Sequence, residues 1–182
     1  EIWMDEDGLW HQHAHNISSA EFVGPPMLLA FDAEGQLFVT GRDAGIARFQ
    51  IVPRRYGSSH LISRNFSNTQ MSSLFSGVWS IAIDRSDRIW YGVPSGNTHM
   101  YELNADRRYT FNPFAPDTGS AYKILPARNG KLWFGDYVLG LVVLDSLRSR
   151  AIGSESFRRI SNLSDQRIRA LFESRDGRIW VG

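Results

Sequence analysis

The sequence predicts an all-β fold of β-propeller type, built from about four four-stranded blades. Three observations carry this. The first is a short motif that recurs along the chain. The second is the spacing of its copies, which suits one propeller blade each. The third is the lack of long stretches with helical periodicity, which helical repeats of similar length would need.

The motif is a turn followed by an aliphatic residue, an aromatic residue, a second apolar residue and usually Gly. It reads Gly35-Gln36-Leu37-Phe38-Val39-Thr40-Gly41, then Asp87-Arg88-Ile89-Trp90-Tyr91-Gly92. It returns as Gly130-Lys131-Leu132-Trp133-Phe134-Gly135 and as Gly177-Arg178-Ile179-Trp180-Val181-Gly182. Glu1-Ile2-Trp3-Met4-Asp5 fits the same slot. The aromatic anchors Trp3, Phe38, Trp90, Trp133 and Trp180 are separated by 35, 52, 43 and 47 residues. They are expected in the blade core. One propeller segment therefore covers residues 1–182.

Within each unit the first strand is a short apolar run before the turn: Leu28 to Phe31, Ser80 to Ile83, Lys123 to Pro126 and Ala170 to Glu173. The last turn residue requires positive φ, which Gly adopts without strain and Asp87 tolerates. Pro126 suits a strand end. The anchor strand comes second. A third strand follows at Gly8 to His11, Gly45 to Phe49, His99 to Leu103 and Gly140 to Asp145. The continuous apolar run Leu139 to Leu144 indicates a strand covered on both faces. A fourth, outer strand has weaker patterning, as at Phe157 to Ile160.

Composition narrows the function classes. Hydrophobic residues are 42% and charged residues 21% of 182, ordinary for a globular domain. The net charge is +1, so no global field draws the chain to nucleic acid or to an anionic membrane. No apolar stretch has the length of a bilayer span. Cysteine is absent, which excludes disulfides and thiol chemistry. Eighteen of the twenty basic residues are Arg, a side chain suited to forked contacts with carboxylate, sulfate or phosphate.

Candidate ligand contacts follow from the register. Counting eight residues back from the positive-φ turn position gives Met27, Trp79, Tyr122 and Arg169, one residue where each inner strand begins. In a propeller that end of the inner strand faces the central channel. Aromatic and Arg side chains there suit a carbohydrate or an anionic small molecule, through stacking and forked hydrogen bonds. The competing explanation is that they plug the channel or pack on further blades. The loops after the anchor strands reach the same face and carry Asp5, Glu6, Arg42, Asp43, Asn97, Asp136 and Tyr137. Arg42 and Tyr137 join the candidate set.

No metal site, cofactor or catalytic residue is assigned. His11, His13 and His15 share one face of an extended strand and are the one set of metal candidates. Their spacing supplies no further ligand. No nucleophile motif or phosphate loop appears, and the many carboxylates have no pairing that sequence can identify.

The motifs resemble the two-component regulator propeller repeat. That pattern runs approximately Leu-Ser-x-x-x-Val-x-x-Ile-x-x-Asp-x-x-Gly-x-Leu-Trp-hydrophobic-Gly. The best copy here is Leu163-Ser164-Asp165-Gln166-Arg167-Ile168-Arg169-Ala170-Leu171 through Trp180-Val181-Gly182, and Val78 to Gly92 is nearly as good. The copies ending on Phe38 and Trp133 are degenerate, starting Pro26-Met27 and Ala121-Tyr122. The resemblance implies the extracytoplasmic or periplasmic sensor region of a bacterial histidine kinase, hybrid sensor or diguanylate cyclase, with seven blades. It implies a non-catalytic module binding a small molecule or oligosaccharide at the channel face. Its partners would be neighbouring blades or domains of the parent protein, with no nucleic acid and no membrane contact by this segment. Both ends fall inside a blade, so a segment of a larger propeller is expected. The alternative is a closed four-bladed ring, its last blade built from 164–182 and 1–16.

Two other functions compete. Asn129-Gly130-Lys131-Leu132-Trp133-Phe134 is similar to the turns of streptogramin-lyase-like propellers, which use a His base with metal assistance. None of the five His lies where an inner strand begins. The other is a structural scaffold presenting its blades to another protein or to a second copy in a homodimer.

Overall fold

A computed structural model describes residues 2–4, 10–12, 26–41, 46–52, 60–64, 77–102, 105, 107–145, 152, 156–163 and 166–182. All regular structure among them is β. A two-stranded sheet pairs β1 (Ile2–Met4) with β2 (Trp10–Gln12). The first complete blade is β3 (Pro26–Phe31), β4 (Leu37–Gly41), β5 (Ile46–Val52) and β6 (His60–Arg64). The second is β7 (Ser80–Ile83), β8 (Arg88–Gly92), β9 (Thr98–Glu102) and β10 (Arg107–Phe111). The third is β11 (Lys123–Pro126), β12 (Leu132–Asp136), β13 (Gly140–Leu144) and β14 (Phe157–Ile160). A second two-stranded sheet joins β15 (Leu171–Glu173) to β16 (Ile179–Val181). Within each sheet every strand is antiparallel to the next in sequence, and the first strands neighbour one another in the order β3, β7, β11, β15. This is the propeller arrangement.

The closed four-bladed alternative would join residues 164–182 and 1–16 in one blade. The pairs β15–β16 and β1–β2 form separate sheets. Both β16 and β1 carry the anchor.

The turn expectation holds in all four units: Gly35, Asp87, Gly130 and Gly177 have φ of 76°, 56°, 84° and 84°. β11 ends on Pro126, and every residue of β13 is buried.

Cross-strand register explains the packing, because paired residues share a face. Ala82 pairs with Trp90 and Trp90 with Met100. That face of the second blade packs on Leu132, Phe134, Val142 and Leu144 of the third. The opposite face, with Ile83 paired to Ile89 and Ile89 to Tyr101, packs on Phe38, Ile46, Leu28 and Ala30 of the first. Each anchor thus points forward, and the residues flanking it point back. Trp90 and Phe38 are fully buried, as expected of anchors. Trp180 is 60% exposed and its partner Phe172 63%, because no strand beyond β16 and no further blade covers that forward face among the described residues.

The Gly that closes the motif has a packing role. A Cβ on Gly92 would overlap the backbone carbonyl of Ala121, where the next blade approaches. A Cβ on Gly135 would lie 2.5 Å from Ile168 Cγ2. Only hydrogen fits at these crossings.

Candidate functional site

The same glycines fix the start of each inner strand. Trp79 N–H donates to the Gly92 carbonyl at 2.9 Å, and Tyr122 N–H donates to that of Gly135 at 2.9 Å. Arg169 N–H donates to that of Gly182 at 2.7 Å. Three residues expected to be equivalent therefore hold equivalent backbone positions in consecutive blades.

Their side chains meet. Trp79 stacks on Tyr122 with ring centroids 4.5 Å apart and planes at 30°. Tyr122 lies 6.1 Å from Tyr137 at 54°. The Arg169 guanidinium carbon sits 4.9 Å from the Tyr137 ring centre, and its Nη2 donates to the Tyr137 hydroxyl. The result is a continuous row, Trp79–Tyr122–Tyr137–Arg169, spanning three blades. Trp79 and Tyr137 keep 38% and 37% of their surface open, and Arg169 is exposed. Burial, reinforced by the nearby Asp136 and Tyr137, raises the Tyr122 pKa above the ordinary phenol value. The phenol therefore stays neutral at physiological pH.

Asp136 holds the Tyr137 loop in place. It is buried, and its Oδ1 accepts the N–H groups of Val138 at 2.6 Å and Leu139 at 2.7 Å. Its Oδ2 accepts Ser120 N–H at 2.7 Å, just before Tyr122. One carboxylate thereby ties the loop carrying Tyr137 to the segment carrying Tyr122. Ile168 N–H donates to the Asp136 carbonyl at 2.9 Å, fastening the approach to Arg169 at the same point. Asp136 is thus a positioning residue, one of several polar loop residues that sequence could not rank. Val138, 68% exposed at the tip of this turn, was not anticipated. Its one signal is an apolar residue in a loop otherwise set by Asp and Gly.

The side chains of the remaining ligand and metal candidates lie outside the described residues. Met27 lies at an irregularity of the β3–β4 register, between Pro26 and Leu28, and its side chain is outside the described residues. Arg42, His13 and His15 also lie outside them, as do Asp5, Glu6 and Asp43. His11 lies on β2 opposite Trp3, with its side chain undescribed. The described residues contain no cluster of three metal-ligating side chains. A cavity of about 340 Å³ bounded by Tyr109, Phe111, Ile152 and Phe157 lies along the outer strands β10 and β14, away from the row.

Comparison with known proteins bears on the fold and the repeat. Residues 162–182 match the two component regulator propeller family, over the copy that reads best in the sequence. Among curated proteins none matches. Among solved structures, the chain is similar to the extracellular domain assigned to a hybrid two component system of B. thetaiotaomicron. That match has 19% identity and a TM-score of 0.64, and covers 99% of this chain and 23% of the other. A second extracellular domain from B. thetaiotaomicron, assigned to a one component system, matches at 16% identity and a TM-score of 0.55, covering 99% and 27%. A catalytically inactive H270A virginiamycin B lyase from Staphylococcus aureus matches at 13% identity and a TM-score of 0.57, covering 98% and 54%. The chain thus spans about a quarter of the two extracellular domains and about half of the lyase. At these identities the matches establish the propeller fold.

Proposed function

We infer that this chain, whose last repeat is of the two component regulator propeller type, is a non-catalytic ligand-sensing segment of an extracytoplasmic signalling propeller. One observation carries the reading: the Trp79–Tyr122–Tyr137–Arg169 row, assembled from three consecutive blades. Structural kinship with extracellular domains assigned to signalling systems supports the extracytoplasmic placement. The ligand is a small molecule or oligosaccharide laid along the row, with stacking worth about 1 kcal/mol per ring. Because the row crosses two blade junctions, a bound ligand favours one relative setting of the blades. That differential affinity shifts the equilibrium passed to the rest of the parent protein. The open forward face at Phe172 and Trp180 is where a neighbouring blade or a second copy packs.

The lyase-like reading has less support. His99, the one His whose side chain is described, hydrogen-bonds Thr110 Oγ1 through Nδ1 at 3.0 Å and packs beside Tyr91, on outer parts of the second blade's sheet rather than in the row.

The test is a thermal-shift screen of the purified chain against a panel of oligosaccharides and small organic acids. At least one compound raises the melting temperature, is recovered chemically unchanged, and loses its effect when Trp79 and Tyr122 are both replaced by Ala. A panel without a hit, or a hit that survives both replacements, contradicts the assignment.

A further inference from the structure

The row has a chemical polarity that names its ligand class; the inference rests on the row being the binding site. At one end are aromatic surfaces. At the other is an exposed guanidinium whose described partner is a phenol. The neighbouring cations differ: Arg128 holds Glu173, Arg158 holds Asp145, Arg159 holds Asp117 and Arg178 holds Asp176. Arg169 donates one N–H to Tyr137 and forms no ion pair among the described residues. The one carboxylate built into the row is Asp136, buried with its two oxygens taken up by three backbone N–H groups. It is turned into the fold and leaves the open Arg169 donors without a carboxylate acceptor among the described residues.

A guanidinium resting on an aromatic ring is already oriented. It therefore loses little freedom when it forks onto a carboxylate or sulfate. Lys123 adds positive potential from the same side. It pairs with Gly135, whose Cβ direction meets Ile168 and Leu171 of the next unit, so Lys123 lies on the blade face turned toward Arg169's segment. It is exposed and has no ion pair among the described residues.

We propose that the row binds a ring-bearing anion, its carboxylate or sulfate held by the open donors of Arg169 and its ring lying against Tyr137, Tyr122 and Trp79. An acidic sugar and an aromatic carboxylate share this chemistry, and the experiment separates them.

Isothermal titration uses a glucuronate-terminated disaccharide, the same disaccharide with glucose in that place, phenylacetate and inorganic sulfate. Each is titrated into the native chain and its Arg169→Ala, Arg169→Lys and Trp79→Ala variants. Circular dichroism first verifies that each variant is folded. The acidic disaccharide or phenylacetate binds at least tenfold more tightly than the neutral disaccharide, and whichever binds identifies the source. Arg169→Ala removes that preference, and Arg169→Lys restores part of it. Higher salt weakens acidic binding wherever position 169 keeps its charge and least in Arg169→Ala, because exposed charge is screened. Trp79→Ala weakens all ring ligands alike and leaves sulfate unchanged. Equal affinity for acidic and neutral disaccharides, unaltered by Arg169→Ala but lost in Trp79→Ala, overturns the anionic ligand and leaves the row intact as a site. Sulfate binding alone overturns the ring requirement. No binding by any probe overturns the inference, and binding insensitive to all three variants overturns the row as the site.

Discussion

At the scale of single residues, the repeats differ most in the Asp that opens the turn. Asp84 Oδ1 accepts the N–H groups of Ser86 at 2.8 Å and Arg88 at 3.2 Å. Its Oδ2 accepts Arg88 Nε at 2.8 Å and the Trp90 indole N–H at 2.7 Å. Asp32 plays the same part in the first blade, taking Glu34 N–H, Gln36 N–H and Arg48 Nη2. The third blade has Ala127 there, and the indole N–H of Trp133 is buried without a partner among the described residues. Ala127→Asp is therefore expected to stabilise the chain by about 1 kcal/mol, whereas Asp84→Ala costs about 3 kcal/mol by orphaning several donors at once. Thermal denaturation of the two variants checks the opposite signs. A second residue effect concerns pH. Burial pushes the Tyr91 phenol up to about 12, against the opposing pull of Arg108. The folded state favours the protonated phenol, so this contribution is complete below pH 10 and is lost as pH rises from 10 to 12. Denaturant titrations should show unfolding free energy falling by about 2 to 3 kcal/mol over that window. Tyr91→Phe should flatten the fall.

Among the elements, the short apolar runs and the Gly positions made strands one to three of each blade legible. A turn residue with positive φ and a closing small residue recur because geometry demands them. Outer strands were harder to read. β10 is Arg107-Arg108-Tyr109-Thr110-Phe111, exposed or half-buried throughout, so solvent rather than a neighbouring blade sets much of its pattern. Sequence gave the closing Gly no separate role, because its constraint comes from a strand in the next blade. That role has a measurable consequence. Gly92→Ala should cost about 3 kcal/mol, since the Ala121 backbone must move. Gly130→Ala should cost about 1 to 2 kcal/mol, from positive φ alone, since its Cβ would meet nothing within 4 Å. Equal costs in denaturant unfolding would remove the crossing argument.

For the molecule as a whole, a register counted from four turns was enough to bring Trp79, Tyr122 and Arg169 to matching backbone positions. It could not reveal that Tyr137 closes the gap between Tyr122 and Arg169. That contact depends on the path of a loop, which Asp136 sets through its three backbone N–H partners. The candidate site is therefore a property of neighbouring blades, not of any one repeat. The most direct test of this account follows the six indole N–H resonances of a nitrogen-labelled chain, assigned by Trp→Phe substitution, as the glucuronate-terminated disaccharide or phenylacetate is added. The account predicts a saturable shift of the Trp79 resonance, with Trp90 and Trp133 unmoved, and loss of that shift in the Tyr122→Ala, Arg169→Ala double variant. A Trp79 resonance that stays still while either probe binds, or a response centred on Trp180, would contradict it.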